Sequence, residues 1–177
     1  MLSSGYGERM DSNTFPSANE AINWAMRRMK TPILSKSNIY SMARKRAIFE
    51  WMPDYSPWEK LAEAVYILKA VHRNCTPIEA LTLETYYLGG TNRRSPILAK
   101  RISRELGRDR WFTLDIVKAW ARERPRHTTK WWGRKYGVSP STISRWQQEI
   151  EKKLNILLQS ALTGANQALQ ESGHVEY

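Results

Sequence analysis

The chain has 177 residues, 41% apolar and 25% charged, a balance that suits one soluble domain or two small ones. No apolar run approaches the ~20 residues of a membrane span, and no charged-then-apolar leader opens the chain, so a cytoplasmic protein without membrane contact is expected. One cysteine, Cys75, excludes an internal disulfide, and the histidines His72, His127 and His174 have no metal-ligand spacing, so neither metal nor cofactor is expected.

The net charge of +11 is unevenly spread. Residues 93–148 hold 15 basic and 4 acidic side chains, against 11 and 9 in residues 1–92 and 2 and 4 in residues 149–177. The excess therefore lies in one segment, as a polyanion that releases counterions on binding would favour.

Taken from the start, residues 1–17 are rich in Ser, Gly, Asn and Asp without a period, and read as a mobile tail. Ile22, Met26 and Met29 then mark a helix over Asn19–Met29, which Thr31-Pro32 should end. A second helix is expected over Ser37–Met52. Ser56-Pro57-Trp58-Glu59 and Thr76-Pro77-Ile78-Glu79 each place a capping hydroxyl before proline and a glutamate three residues on, and Ser95-Pro96 repeats the start without the glutamate. The helices so opened should run from Pro57 to about Val71, burying Leu61, Val65, Leu68 and Tyr66, from Pro77 to Leu88 before Gly89-Gly90, and from Ser95 to Leu106 before Gly107. Thr113 reads as the cap of a helix over Leu114–Glu123, broken by Arg124-Pro125-Arg126. No alternating β-branched run occurs, so the fold should be all-α.

The stretch from Thr129 to Gln148 is the most informative. Gly133 allows close helix approach and Gly137 can end a helix in the left-handed conformation. Trp132, Tyr136, Val138, Ile143 and Trp146 fall at inward positions, and Ser139-Pro140 opens a second helix. This is the pattern of a helix-turn-helix, two short helices crossing steeply with the second free to enter a DNA groove. Ser139, Ser141, Thr142, Ser144, Arg145 and Gln148 are the expected base contacts; Thr128, Thr129, Lys130, Arg134 and Lys135 are the expected phosphate contacts. Ile102–Gly107 mimics the first helix of such a motif, with Arg108 where an apolar residue should stand.

Beyond the motif, Ile150, Leu154, Leu157, Leu158, Ala161 and Leu162 continue an apolar stripe, extending the reading helix from Pro140 to about Leu162, where Thr163-Gly164 should stop it. Either the N-terminal helices or a second copy of the chain must cover that stripe. The expected organisation is a tail over 1–17, a helical region over 18–92, a basic DNA-binding region over 93–162 and a second tail over 163–177. Of the eight tryptophans most should be core, and Trp131 should pack on a neighbouring helix, with contact to the DNA backbone as the alternative.

With Leu83-Glu84-Thr85-Tyr86-Tyr87-Leu88-Gly89 upstream, the motif resembles region 4 of sigma-70 factors, which reads promoter DNA, and the lambdoid phage Q antiterminators. The resemblance implies a phage late-gene regulator that binds DNA near a promoter, engages RNA polymerase and carries it past terminators, with Ser139–Gln148 as base readers. Residues 90–127 stand between the two segments, where those families pass quickly into the motif. The alternative expectation is a DNA-packaging terminase small subunit, which pairs a helix-turn-helix with oligomerising helices. An enzyme is not expected, because no carboxylate cluster for Mg²⁺ and no nucleophile beside a base is visible; Asp109 and Asp115, and Glu59 and Glu63, read as surface or capping charges.

Overall fold

A computed structural model describes residues 14–30, 57–88 and 94–175. The helix expected over Ser37–Met52, the Gly89-Gly90 stop and the first thirteen residues lie outside the described residues. Among the described residues are seven α-helices and no strand: α1 (Ala18–Lys30), α2 (Pro57–Arg73), α3 (Pro77–Leu88), α4 (Ser95–Leu106), α5 (Arg110–Trp120), α6 (Thr129–Tyr136) and α7 (Pro140–Glu171). The fold is all-α, and no described helix is long and apolar enough to cross a membrane.

Helix α7, with 32 residues, is the axis on which the other elements pack. Its C-terminal half gives Leu158, Ala161, Ala165 and Leu169 to a core shared with Phe15, Ile22, Ile67, Val71 and Leu83. Its N-terminal half gives Ile143, Ile150 and Leu154 to a second core with Leu98, Ile102, Phe112, Val117 and Trp132. The apolar stripe is thus covered from within the chain. Each buried Leu or Ile contributes about 1.5–3 kcal/mol, so this cover is what holds so long a helix in place.

The helix does not stop at Thr163-Gly164, as its sequence suggests. Thr163 satisfies its hydroxyl inside the helix by donating to the Gln159 carbonyl at 2.9 Å. Gly164 serves close approach: a Cβ there would stand 2.9 Å from the Asn74 carbonyl oxygen in the turn between α2 and α3. Past the helix, Val175 is buried and forms an isolated bridge with Phe15, whose N–H donates to the His174 carbonyl at 2.7 Å. His174 in turn pairs with Glu63 of α2 at 2.6 Å. Residues 14–17 and 163–175 are therefore built into the first core and are not the tails expected of them.

Two smaller corrections share a cause, that neighbouring apolar stripes on a helix cannot be ranked without the partner. In α2 it is Ala64, Ile67 and Val71 that are fully buried, Leu61, Val65 and Leu68 are half-buried, and Tyr66 is exposed. Packing against α1 centres the first of these two stripes.

Caps explain the remaining boundaries. Thr76 and Glu79 form the expected reciprocal box: the Thr76 N–H donates to the Glu79 carboxylate at 2.8 Å, and the Glu79 N–H to the Thr76 hydroxyl at 3.4 Å. Helix α5, however, starts four residues earlier than expected. Asp109 accepts from the N–H groups of Trp111 and Phe112 at 2.8 and 2.9 Å, whereas Thr113 lies inside the helix and donates to the Asp109 carbonyl at 2.8 Å. A carboxylate outcompetes a hydroxyl for the positive end of a helix. Ser95 does not cap α4 either; its hydroxyl donates to Glu123 at 3.0 Å, tying that helix to the loop after α5.

Cys75 behaves as an ordinary small residue. It is half-buried, its thiol faces the Ala161 carbonyl at 3.7 Å, and burial, then the Glu79 charge, pushes it up to about 11.

Candidate nucleic-acid interface

Helix α6, a three-residue turn and the start of α7 form one continuous unit. Thr128 caps α6 by accepting from the Trp131 N–H at 3.3 Å. Gly137 ends α6 at φ 64, ψ 30, where a side chain would be strained, and Ser139 caps α7 by accepting from the Thr142 N–H at 3.3 Å.

Beneath this turn sits a cluster of four aromatic rings. Phe112 of α5 meets Trp132, Tyr136 and Trp146 at centroid distances of 5.7, 6.4 and 6.2 Å, mostly edge to face. Trp132 stacks on Tyr136 at 5.5 Å. Large rings in edge-to-face contact lock orientation as well as burying area, so α6 and α7 are set against each other by α5. Burial foremost, with the Asp109 charge second, holds the Tyr136 phenol well above its usual range.

One buried carboxylate supports the unit from below. Asp115 is 4% exposed and accepts three hydrogen bonds: from the Arg126 N–H at 2.7 Å, the His127 N–H at 3.0 Å and the Trp132 indole N–H at 3.0 Å. It is not the surface charge its sequence position implied. Nothing in the local pattern announced it except an acidic residue set between the apolar Leu114 and Ile116.

The expected contact residues lie on the surface of this unit. Ser139, Ser141, Ser144, Arg145 and Gln148 are exposed along the first turns of α7, with Thr142 half-buried among them. The hydroxyls of Ser141 and Thr142 lie 2.8 and 3.0 Å from the capping hydroxyl of Ser139. Thr128, Thr129, Lys130, Arg134 and Lys135 are exposed on α6 and its approach. The Lys135 ammonium rests 4.6 Å from the Trp132 ring centroid. Trp131 is 40% exposed and stacks on the His127 ring of the preceding loop at 3.7 Å.

The turn is built twice. Gly107 ends α4 at φ 62, ψ 33, and the Arg108 N–H donates to the Ser103 carbonyl as the Val138 N–H donates to Gly133. In this first copy the second helix is α5, whose residues 112–117 are all buried, so it forms core and has no free face to insert. Arg108, out of place by the apolar rule, lies over Trp146 at 4.9 Å and pairs with Glu149 at 2.7 Å. Its guanidinium covers the aromatic cluster while staying wet, which is why a charge is tolerated there.

The loop between α5 and α6 contributes basic residues that the helix-turn-helix pattern does not mark. Arg122, Arg124 and Arg126 are exposed, and none of them forms an ion pair with a described residue. Among the described residues, no group of His, Cys, Asp and Glu side chains is disposed to hold a metal ion. Compared with known proteins, the chain matches no family model and no curated sequence.

Proposed function

We propose that the chain is a sequence-specific DNA-binding transcription regulator that reads duplex DNA with the first turns of α7. The observation that carries this reading is the division of labour within α7. Ile143, Ile150 and Leu154 are buried, while Ser141, Ser144, Arg145 and Gln148 on the opposite face are exposed side chains suited to base edges. An apolar exposed face would have favoured a protein partner. The positive end of the helix and the exposed basic side chains of α6 would suit duplex phosphates running past this face. Selection of bound sequences from a random duplex pool tests the reading: one enriched motif supports it, and recovery of the unselected pool refutes it.

Within this reading, the resemblance to the Q antiterminators extends the function to late genes of a phage, with RNA polymerase as second partner. Transcription through a terminator, with and without the protein, on a template carrying the selected site tests that step. The packaging alternative drew its support from an apolar stripe in need of a cover. That cover is supplied within the chain, so regulation is the better-supported reading. Light scattering that finds a ring in solution would restore packaging.

A further inference from the structure

The loop from Ala121 to His127 is held at both ends and strained at one point. Glu123 accepts from Ser95 of α4 at 3.0 Å, and the N–H groups of Arg126 and His127 both end on buried Asp115, which also holds Trp132 of α6. The loop is therefore fixed relative to the candidate reader.

At its start the chain leaves α5 through a left-handed residue, the Glu123 N–H reaching back to the Lys118 carbonyl at 2.8 Å. The corresponding positions after α4 and α6 are Gly107 and Gly137, but here it is Arg122, at φ 61, the single described non-glycine residue with positive φ. Strain of this kind persists where a side chain is needed for something other than stability. Arg122 points outward with Arg124 and Arg126, three exposed guanidinium groups with no described acidic partner, on the approach to α6.

We propose that this loop is a preorganised phosphate clamp, in which Arg122, Arg124 and Arg126 grip the DNA backbone beside the stretch read by α7. The proposal rests on the DNA-binding reading above and adds a partner surface to it. Guanidinium forks match phosphate oxygens in two-point hydrogen bonds, and a loop already ordered loses little freedom on binding.

The test measures the affinity of the full chain for the selected duplex and for an unrelated duplex over a range of salt. Replacing all three arginines by alanine should weaken both complexes alike and reduce the slope of log affinity against log salt by about 2.7 units, ~0.9 for each phosphate no longer neutralised. The matching triple lysine variant should recover most of that slope. Arg122→Gly should do two opposite things: raise Tm by about 2–4 °C as strain is relieved, and flatten the slope by ~0.9.

Unchanged slopes in the alanine variant, while Arg145→Ala still loses the selected sequence, would overturn the clamp and leave the reader standing. A lysine variant as weak as the alanine one would assign the loss to loop structure and overturn it too. Failure of the unaltered chain to bind either duplex would remove the reading and the clamp together.

Discussion

The Asp115 carboxylate accepts the Trp132 indole N–H at 3.0 Å across 17 positions of sequence, and this bond joins the middle of α5 to the first helix of the proposed reader. A buried charge is unfavourable unless its lone pairs are filled; here two backbone N–H groups complete the set. Asp115→Asn turns one acceptor into a donor facing another donor, and should destabilise the fold by about 2–4 kcal/mol in urea titration. Trp132→Phe removes one donor but keeps a ring in place, and should lose less. A loss under ~1 kcal/mol for Asp115→Asn would mean that the carboxylate does not organise the loop.

Two helical glycines should respond in opposite ways to alanine, because the space beside them differs. At Gly133 an added Cβ would meet the Val138 carbonyl oxygen at 3.4 Å and Ile143 Cγ1 at 3.6 Å, close to ordinary contact. Helix propensity then decides, and Gly133→Ala should gain up to ~1 kcal/mol. At Gly164 the Cβ would stand 2.9 Å from the Asn74 carbonyl oxygen, a backbone atom that cannot swing aside. Overpacking of this kind costs about 1–3 kcal/mol, which exceeds the propensity gain, so Gly164→Ala should lower Tm. A rise in Tm for both variants would show that α7 and the α2–α3 turn are less closely joined than described.

Glu79 makes acid stability a test of the contact between α3 and α7. Hydrogen bonds from Ser160 of α7, and then from the Thr76 hydroxyl and N–H, hold its carboxyl below its ordinary value, against a smaller opposing effect of burial. A lowered folded-state value means that the stabilisation is complete above the ordinary carboxylate value and disappears as pH falls through the lower one. Glu79→Gln should therefore be less stable than the unaltered chain at pH 7, by under ~1 kcal/mol because the group is partly solvated, and indistinguishable from it in strong acid. A difference that does not change with pH would assign the loss to the cap alone.

Sequence signals resolve the elements that local chemistry fixes. Thr76-Pro77 with Glu79, Gly107 after Leu106, and Gly137 with Ser139-Pro140 each mark a helix end through bonds between residues close in sequence, although Glu79 also accepts from distant Ser160. Elements set by tertiary contact are not legible in this way. Gly164 carries the same letter as a helix stop, but its role depends on Asn74, which lies far away in the chain. Asp115 looks like any surface acid until the Arg126 and His127 N–H groups and the Trp132 indole are brought to it. The exposed faces of α6 and α7 are legible because outward positions follow once the inward ones are assigned. Arg122 is not, since a left-handed arginine leaves no mark in composition or period.

The assigned roles of α6 and α7 separate most sharply at Lys135 and Arg145. Arg145 is exposed on the first turns of α7 and forms no ion pair with a described residue, so its guanidinium is free to take two acceptors on one guanine edge. Its loss should be felt at one base pair: Arg145→Ala should weaken the selected duplex by about 1–3 kcal/mol while leaving the unrelated duplex nearly as before. Lys135 sits on α6, its ammonium close over Trp132 and still exposed, where it would meet phosphate whatever the sequence. Lys135→Ala should weaken both duplexes equally and flatten the salt slope by about one unit. Fluorescence anisotropy with the two duplexes at several salt concentrations distinguishes the variants directly. Equal losses from both would contradict a reader built from α7 and a backbone contact built from α6, because one charge would then be doing the same task in either place.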